Sequence, residues 1–330
     1  MNGKRLVGIY ILEILNRYSG PERKLLQGEI LEYLDRDYNV SITRKTLSEY
    51  VGEMREAGYV CGMRGIYGTK RFSDSELRLL IDGVLFGQHV PEKPANELIG
   101  KLKELSPSGI SHRMKHICYL ERMNHTVNEK LYDIIDAIDS AIEKNRKVEL
   151  TFCSFDIHGN LNDWGTKVVD PYYMVTDKCR YYLICYAGRN DDLENRRLDR
   201  ISNVKILEDE VRTPIRELKK YSNGFDLADY MREHIYMFSG DSVPIAMRIQ
   251  KKNIGDFIDW YGRDYRIEEN NEDEETVLIR LDANENAVFY WALQYGGIAE
   301  VVKPLQLRDR IRKELIKMME KYTEGGISYE

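Results

Sequence analysis

The sequence predicts an α+β chain of several domains. Three observations carry this: helical spacing of apolar residues through the first 145 positions, short β-branched and aromatic runs from Arg146 onward, and alternation of strand with helix beyond Val211. At 330 residues with 42% hydrophobic content, the chain is long enough to give each of two or three domains its own core.

The first seventy residues read as a small helical unit. Leu6, Ile9, Tyr10, Leu12 and Leu15 recur at helical spacing and stop at Ser19-Gly20-Pro21. A second helix fits Leu25 to Leu34 and a third Thr43 to Ala57, with Ser41 or Thr43 as its cap and Gly58 as its end. Two helices, a turn and a third helix form a helix-turn-helix, in which Arg44, Lys45, Thr46, Ser48 and Tyr50 stand on the recognition element. The glycines and aromatics of Tyr59 to Phe72 predict a hairpin wing that brings Arg64, Lys70 and Arg71 near phosphate.

Ser73 to Asn145 continues as helix. Ser73 and Glu76 form a capping box ahead of Leu77 to Phe86, and further helices fit Pro94 to Leu105 and Asn128 to Lys144. From Arg146 the period becomes two, with strands over Val148–Phe152, Lys167–Asp170, Tyr172–Thr176, Arg180–Tyr186 and Arg196–Leu198. So many short strands without intervening helix predict a small barrel. The remainder alternates strand and helix, ending in a helix over Leu305 to Met319.

Charge and cysteine usage narrow the function. A formal net charge of -6 argues against a uniformly basic coat, so any DNA site is local. Residues 1 to 70 hold eleven Lys or Arg against nine Asp or Glu, and residues 240 to 330 hold thirteen against eighteen, so the acidic excess lies away from the proposed DNA face. Five cysteines without a C-x-x-C pair, no apolar run of membrane-spanning length and no signal peptide predict a cytoplasmic protein with reduced thiols. His112, His116, Cys118 and His125 lie close together, but no carboxylate stands between the first two as in H-E-x-x-H, and no metal or other cofactor is expected. Phosphate-binding glycine loops and a nucleophile elbow are also missing, which argues against an enzyme.

The segment Asp170-Pro-Tyr-Tyr-Met-Val-Thr-Asp-Lys-Cys-Arg-Tyr-Tyr-Leu-Ile-Cys-Tyr-Ala187, followed by Arg196-Arg-Leu-Asp-Arg-Ile201, resembles the core of a WYL domain, the ligand-sensing module of many bacterial transcription regulators. Tyr181-Tyr182-Leu183 stands for the signature. The resemblance implies a winged helix-turn-helix over 1–72, a helical connector over 73–145, an Sm-like WYL barrel over 146–210, and over 211–330 a linker with an α/β sandwich-like C-terminal extension. Trp291 to Pro304 with Leu307-Arg308 is similar to that extension. Ser41-Ile-Thr-Arg-Lys-Thr-Leu-Ser-Glu49 matches the family's recognition helix loosely, with Ser48-Glu49 in place of an Arg-Asp pair.

Alternation along Arg180 to Tyr186 puts Arg180, Tyr182, Ile184 and Tyr186 on one side and Tyr181, Leu183 and Cys185 on the core side. Tyr182 offers a ring for stacking and Arg197 and Arg200 offer cationic forks, which suits a base and a phosphate. Arg197 and Arg200 are three apart, so they share a face only if the strand ends or bulges near Asp199. Alternatively, the arginines pair with Asp170, Asp177, Asp191 or Asp199 and the tyrosines only pack. With the resemblance added, the expectation is an effector site at Tyr182, Arg197, Arg200, Lys167 and Tyr172 for a nucleotide or single-stranded nucleic acid. The partner of the head is then an operator in double-stranded DNA, and the protein is a homodimer. Rival expectations are an adaptor or nucleic-acid-binding module without an operator, and an enzyme acting on nucleotides.

Overall fold

A computed structural model describes residues 6–20, 23–62, 65–69, 72–105, 125–188, 192–269 and 275–323. The chain forms two compact units, Met1–Val127 and Asn128–Glu330.

The first unit begins with α1 (Val7–Tyr18), α2 (Gln27–Tyr38) and α3 (Arg44–Glu56). Their inward stripes, including Ile11, Leu15, Ile30, Leu34, Leu47 and Val51, make one apolar core. Thr43 caps α3, its Oγ1 accepting from the Thr46 amide at 3.2 Å, and Gly58 follows the helix at φ +80°, as a helix stop requires. Leu25 does not open α2. It is buried, and its amide and carbonyl exchange 2.8 Å bonds with Ile66 beside the hairpin β1 (Val60–Cys61) and β2 (Tyr67–Gly68). The pair α4 (Asp74–Leu85) and α5 (Glu92–Glu104) follows, and Ser73 and Glu76 form the expected capping box at its start.

The second unit opens with α6 (Leu131–Glu143), which lays Leu131, Ile134, Ile138 and Ala141 on a five-stranded antiparallel sheet. The strands are β3 (Arg146–Phe155), β4 (Leu161–Asp177), β5 (Arg180–Tyr186), β6 (Leu193–Arg197) and β7 (Ile201–Val211), in the order β6-β5-β4-β3-β7. The two runs expected at Lys167–Asp170 and Tyr172–Thr176 are one strand, β4, which slips register between Pro171 and Tyr173. A single irregularity lets the strand bend without ending.

That order forces the sheet to roll. Strands β6 and β7 are its two edges, about 19 Å apart if five strands lay flat. Only the 3₁₀ turn Leu198–Arg200 joins them, and the four steps from Arg197 to Ile201 reach about 14 Å even when extended. A flat sheet is therefore excluded.

Strand β5 is covered on both sides. Leu183 and Cys185 face the core beneath α6, as expected. On the other side Ile184 is fully buried, with Tyr182 and Tyr186 beside it, against Leu218, Tyr221, Tyr230 and Met237 of the segment that follows β7. This segment contains α7 (Leu227–Glu233). The nearly continuous apolar run Tyr181 to Tyr186 fits a strand buried on two faces.

The chain then forms β8 (Ser242–Gln250), α8 (Ile254–Tyr261), β9 (Arg266–Glu269), β10 (Thr276–Asn284), α9 (Glu285–Gln294), β11 (Ala299–Lys303) and α10 (Leu305–Thr323). Its antiparallel sheet runs β11-β8-β10-β9, the split β-α-β order of ferredoxin-like folds. Fully buried Trp291 and Phe257 sit in its core. At the tip of the β4–β5 hairpin, Lys178 and Cys179 both adopt positive φ, and the Lys178 ammonium lies 4.2 Å from the Trp260 ring centroid on α8. Among the described residues no helix is long and apolar enough to cross a membrane.

Candidate effector and DNA-binding sites

Register builds the first site. Tyr182 on β5 stands directly across from Arg197 on β6, so their side chains share a face. Arg180, two residues before Tyr182, lies on the same face by alternation. Strand β6 ends at Arg197, and the 3₁₀ turn that follows carries Asp199 and Arg200. Of the two conditions under which the arginines could share a face, a strand end or a bulge near Asp199, the strand end is present, so strict alternation no longer separates them.

Asp199 organises this corner. Arg197 donates from Nε to Oδ1 at 2.9 Å and from Nη2 to Oδ2 at 2.6 Å, and Arg180 Nη1 lies 3.7 Å from Oδ2. The Asp199 side chain is only 5% exposed, whereas Arg197 is 30% and Arg180 26% exposed. The paired carboxylate raises the Arg197 guanidinium's affinity for its proton. Burial makes the Tyr182 hydroxyl harder to ionise, with Arg197 opposing that effect.

Arg200 is held differently. Its guanidinium lies 3.9 Å from the Phe155 ring centroid, and burial lowers its pKa. A cation over a ring is stabilised by roughly 0.5–2 kcal/mol and leaves the N–H edge available. Phe155 is 45% exposed. Tyr182, Arg197 and Arg200, with Arg180 and Phe155, thus form a half-buried corner of aromatic faces and cations around one internal carboxylate.

Lys167 and Tyr172 have other partners. Lys167 Nζ bonds both oxygens of Glu194, at 2.9 and 3.2 Å, and Arg196 bonds the same carboxylate. Glu194 and Arg196 alternate with Arg197 along β6, so this cluster faces away from Tyr182. Beside it Arg196 lies over Phe152, on which the 62% exposed Trp164 stacks. Tyr172 is buried, and its hydroxyl donates to the Thr213 carbonyl at 2.7 Å, fastening the segment after β7 to the sheet.

Sequence reasoning left Arg180, Asp199 and Phe155 out of the site. Alternation from Tyr182 was enough to find Arg180. Asp199 was visible between two arginines, but only as one of four carboxylates able to pair with them. Phe155 gave no signal, because the register slip between Phe152 and Cys153 breaks the phase that would relate it to the sheet face.

On α3, Arg44 and Lys45 are exposed at the first turn. Thr46 shares a 2.9 Å hydroxyl contact with Thr43, and Ser48 Oγ accepts from Gln27 Nε2 at 2.9 Å, which fixes α2 against α3. Tyr50 packs on the core of the helical unit, next to Gly8 of α1. Arg64, Lys70 and Arg71 lie outside the described residues, as do His112, His116 and Cys118. His125 Nδ1 lies 2.7 Å from the Val90 carbonyl, and no cluster of metal ligands occurs among the described residues.

Comparison with known families places this geometry. Residues 133–206 match the WYL domain family. The chain carries a WYL domain. A WCX domain match follows it over residues 242–319, the ferredoxin-like sheet and its helices. Across 230 residues the chain is 24% identical to YobV of Bacillus subtilis (strain 168), described as an uncharacterized HTH-type transcriptional regulator, covering 68% of this chain and 67% of that protein. Among solved structures it is similar to proteasome accessory factor B/C (PafBC) of Arthrobacter aurescens, with 16% identity and a TM-score of 0.31. That match covers 96% of this chain and 49% of the other, so the chain spans about half of that protein's length. A CRISPR Cas-related protein gives 12% identity and a TM-score of 0.37, covering 96% of this chain and 84% of the other. The candidate corner lies within the WYL match, as Arg180, Tyr182, Arg197, Asp199 and Arg200 all fall inside the matched residues.

Proposed function

We propose that this protein is a cytoplasmic transcription regulator that binds operator DNA through its first unit and senses an anionic, nucleotide-like or nucleic-acid effector at the WYL corner. In this reading α1 to α3 and the β1–β2 hairpin are a winged helix-turn-helix, and the rolled sheet is an Sm-like barrel. The protein acts as a homodimer on two half-sites.

The observation that carries the effector reading is the division of labour between two arginines. Arg197 is fixed by a buried carboxylate, whereas Arg200, resting on Phe155, has its donors directed at no carboxylate among the described residues. Separating a buried ion pair costs about 3–5 kcal/mol. A hydrogen bond to a charged group returns about 1.5–3 kcal/mol. A ligand anion therefore does not displace Asp199. It binds the donors left over, at Arg200 and at Nη1 of Arg197, for which no hydrogen-bond partner occurs among the described residues, with Tyr182 as the stacking surface. Asp199 acts through Arg197, holding its fork in place, and needs no contact with ligand.

Arg44 and Lys45 support the DNA reading, since the first turn of a recognition helix is where side chains reach base edges and phosphate. An effector that prefers one conformation of the protein changes operator affinity by that preference and no more. Fluorescence anisotropy across a salt series, using the duplex upstream of the protein's own gene and a scrambled duplex, tests the regulator reading. Selective binding that weakens with salt and shifts on adding a short single-stranded oligonucleotide is the expected result. Binding that ignores salt points to an adaptor that uses its helical unit against protein.

A further inference from the structure

Strand pairing places one more carboxylate in the candidate corner. Asp177, at the end of β4, stands directly across from Arg180, and Val175, two residues earlier, stands directly across from Tyr182. Asp177 therefore shares the face on which Tyr182 meets Arg197. The arginine opposite does not pair with it. Arg180 turns to Asp199 instead, at 3.7 Å, and the ammonium of the neighbouring Lys178 lies over the Trp260 ring. Asp177 Oδ2 is buried and meets no hydrogen-bond partner among the described residues.

The two carboxylates of the corner thus differ. Asp199 is gripped by Arg197 through two bonds, whereas the Asp177 oxygen has left water without a donor in exchange, which costs free energy until a donor arrives. Burial pushes the Asp177 carboxyl up from its ordinary range, against the charge and the amide of Lys178. The Tyr182 hydroxyl is kept protonated by burial and, against Arg197, by the charge of Asp177, so the two side chains lie within electrostatic reach of each other. A bare anion such as phosphate satisfies Arg200 but is repelled by Asp177. The ligand that suits both carries a negative group for the arginines and N–H donors for the carboxylate.

We infer that Asp177 is the base-reading residue of this corner and selects guanine, its carboxylate accepting hydrogen bonds from the ring N1–H and the exocyclic amino group of a base stacked on Tyr182. The inference rests on the proposed function, since it names the ligand chemistry of that same site. An ionised carboxylate only accepts, and guanine is the base whose pairing edge offers two adjacent donors. Cytosine and adenine each set an amino group beside a ring nitrogen acceptor, and thymine sets its one N–H between two carbonyls, so each turns a lone pair toward the carboxylate. Oδ2 lies below the surface, and access requires a side chain to turn aside. Arg180 is placed to do so: it stands across from Asp177, is 26% exposed, and approaches at 3.7 Å a carboxylate that Arg197 already grips.

The test is binding of the full chain to labelled ten-nucleotide oligothymidylates that carry guanine, hypoxanthine or thymine at one central position; hypoxanthine keeps the N1–H and lacks the amino group. The native protein is expected to bind the guanine strand about fivefold or more tighter than the all-thymine strand, as one bidentate contact gives, with hypoxanthine between them. In Asp177→Asn the preference shrinks below about twofold, through loss on the guanine strand, whereas Arg200→Ala weakens all three strands alike. Urea denaturation without ligand adds a second readout. Asp177→Asn should unfold at the same or a higher urea concentration, because the carboxylate it removes is bonded to nothing in the fold. Equal affinity of the native protein for the three strands, which is what an ordered water alone at Oδ2 predicts, would overturn the inference. So would a guanine preference that survives Asp177→Asn, or a lowered urea midpoint in that variant. Failure of the effector reading looks different: none of the three strands binds the native protein, and the inference falls with it.

Discussion

Arg197 grips Asp199 with two parallel hydrogen bonds, Nε to Oδ1 and Nη2 to Oδ2, across a strand end only two residues long. The pair is asymmetric, with the carboxylate almost wholly inside and the guanidinium partly in water. Asp199→Asn keeps the shape but removes the charge that two arginines face. It is expected to destabilise the second unit by about 3 kcal/mol, in line with breaking one half of a buried pair. Urea denaturation of the purified protein measures this. A loss below about 0.5 kcal/mol would place the pair with weak surface bridges.

Arg200 and Arg197 should differ in what they lose. Arg200→Ala removes a cation that, among the described residues, rests on a ring and bonds no carboxylate, so ligand affinity falls while the urea midpoint moves little. Arg197→Ala should lower both. Titration with a labelled single-stranded oligonucleotide, beside denaturation curves, separates the two. Equal behaviour of the variants contradicts the division proposed for them.

On α3, the proposed recognition helix, Arg44→Ala and Lys45→Ala should weaken duplex binding and each reduce the salt slope by about one, the signature of one lost phosphate contact. Ser48→Ala should act through stability instead, since its hydroxyl serves Gln27 of α2. Anisotropy at several salt concentrations checks all three.

His234 gives the second unit a pH dependence. The ring is buried, stacked on Tyr230 at 4.0 Å, with Nδ1 2.8 Å from the Tyr230 carbonyl and Nε2 3.1 Å from the Gly240 carbonyl. Burial lowers its pKa below the ordinary 6.5, against raising effects from the two carbonyls and Glu233, with Lys220 adding to the lowering. As pH falls through that ordinary value, the unfolded chain takes up a proton that the folded chain refuses, so stability must fall. Urea midpoints at pH 7.5 and 5.5 should therefore drop in the native protein and drop less in His234→Gln. An identical drop in both would assign the effect to other groups.

The two-sided burial of β5 makes Ile184 a core residue of the sheet's outer face. Ile184→Ala should cost about 2–4 kcal/mol, as for large-to-small changes in packed interiors. A thermal or urea series that shows under 1 kcal/mol would mean that the segment from Leu218 to Met237 packs loosely there.

Local signals were legible in the sequence, and long-range ones were not. Thr43, Gly58, Ser73 and Glu76 marked helix ends because capping needs only neighbours in the chain. The strand end after Arg197 could be anticipated from the spacing of two arginines. The cover over Tyr182, Ile184 and Tyr186 could not, since it comes from Leu218 to Met237, far along the chain, whose apolar character alone does not name their partner. Lys167 entered the expected site through the family resemblance, and only its bonds to Glu194 and the register of β6 reveal that it is held on the other face. Asn128 looked like the first residue of a helix, while its side chain donates to the Ile201 and Asp199 carbonyls far along the chain.

The ammonium of Lys178 over the indole of Trp260 gives this protein an optical reporter of its own. The sequence holds three tryptophans. Trp291 is sealed in the ferredoxin-like core, Trp164 stands in water beside the Arg196 cluster, and among the described residues only Trp260 of the three has a cation above its ring. A nearby charge shifts the emission of an indole, so any event that moves the β4–β5 hairpin relative to α8 alters the colour of one tryptophan of three. With Trp164→Phe in place, engagement of the proposed corner, whose Tyr182 lies three residues beyond Cys179 at the hairpin tip, becomes readable as intrinsic fluorescence, without a dye.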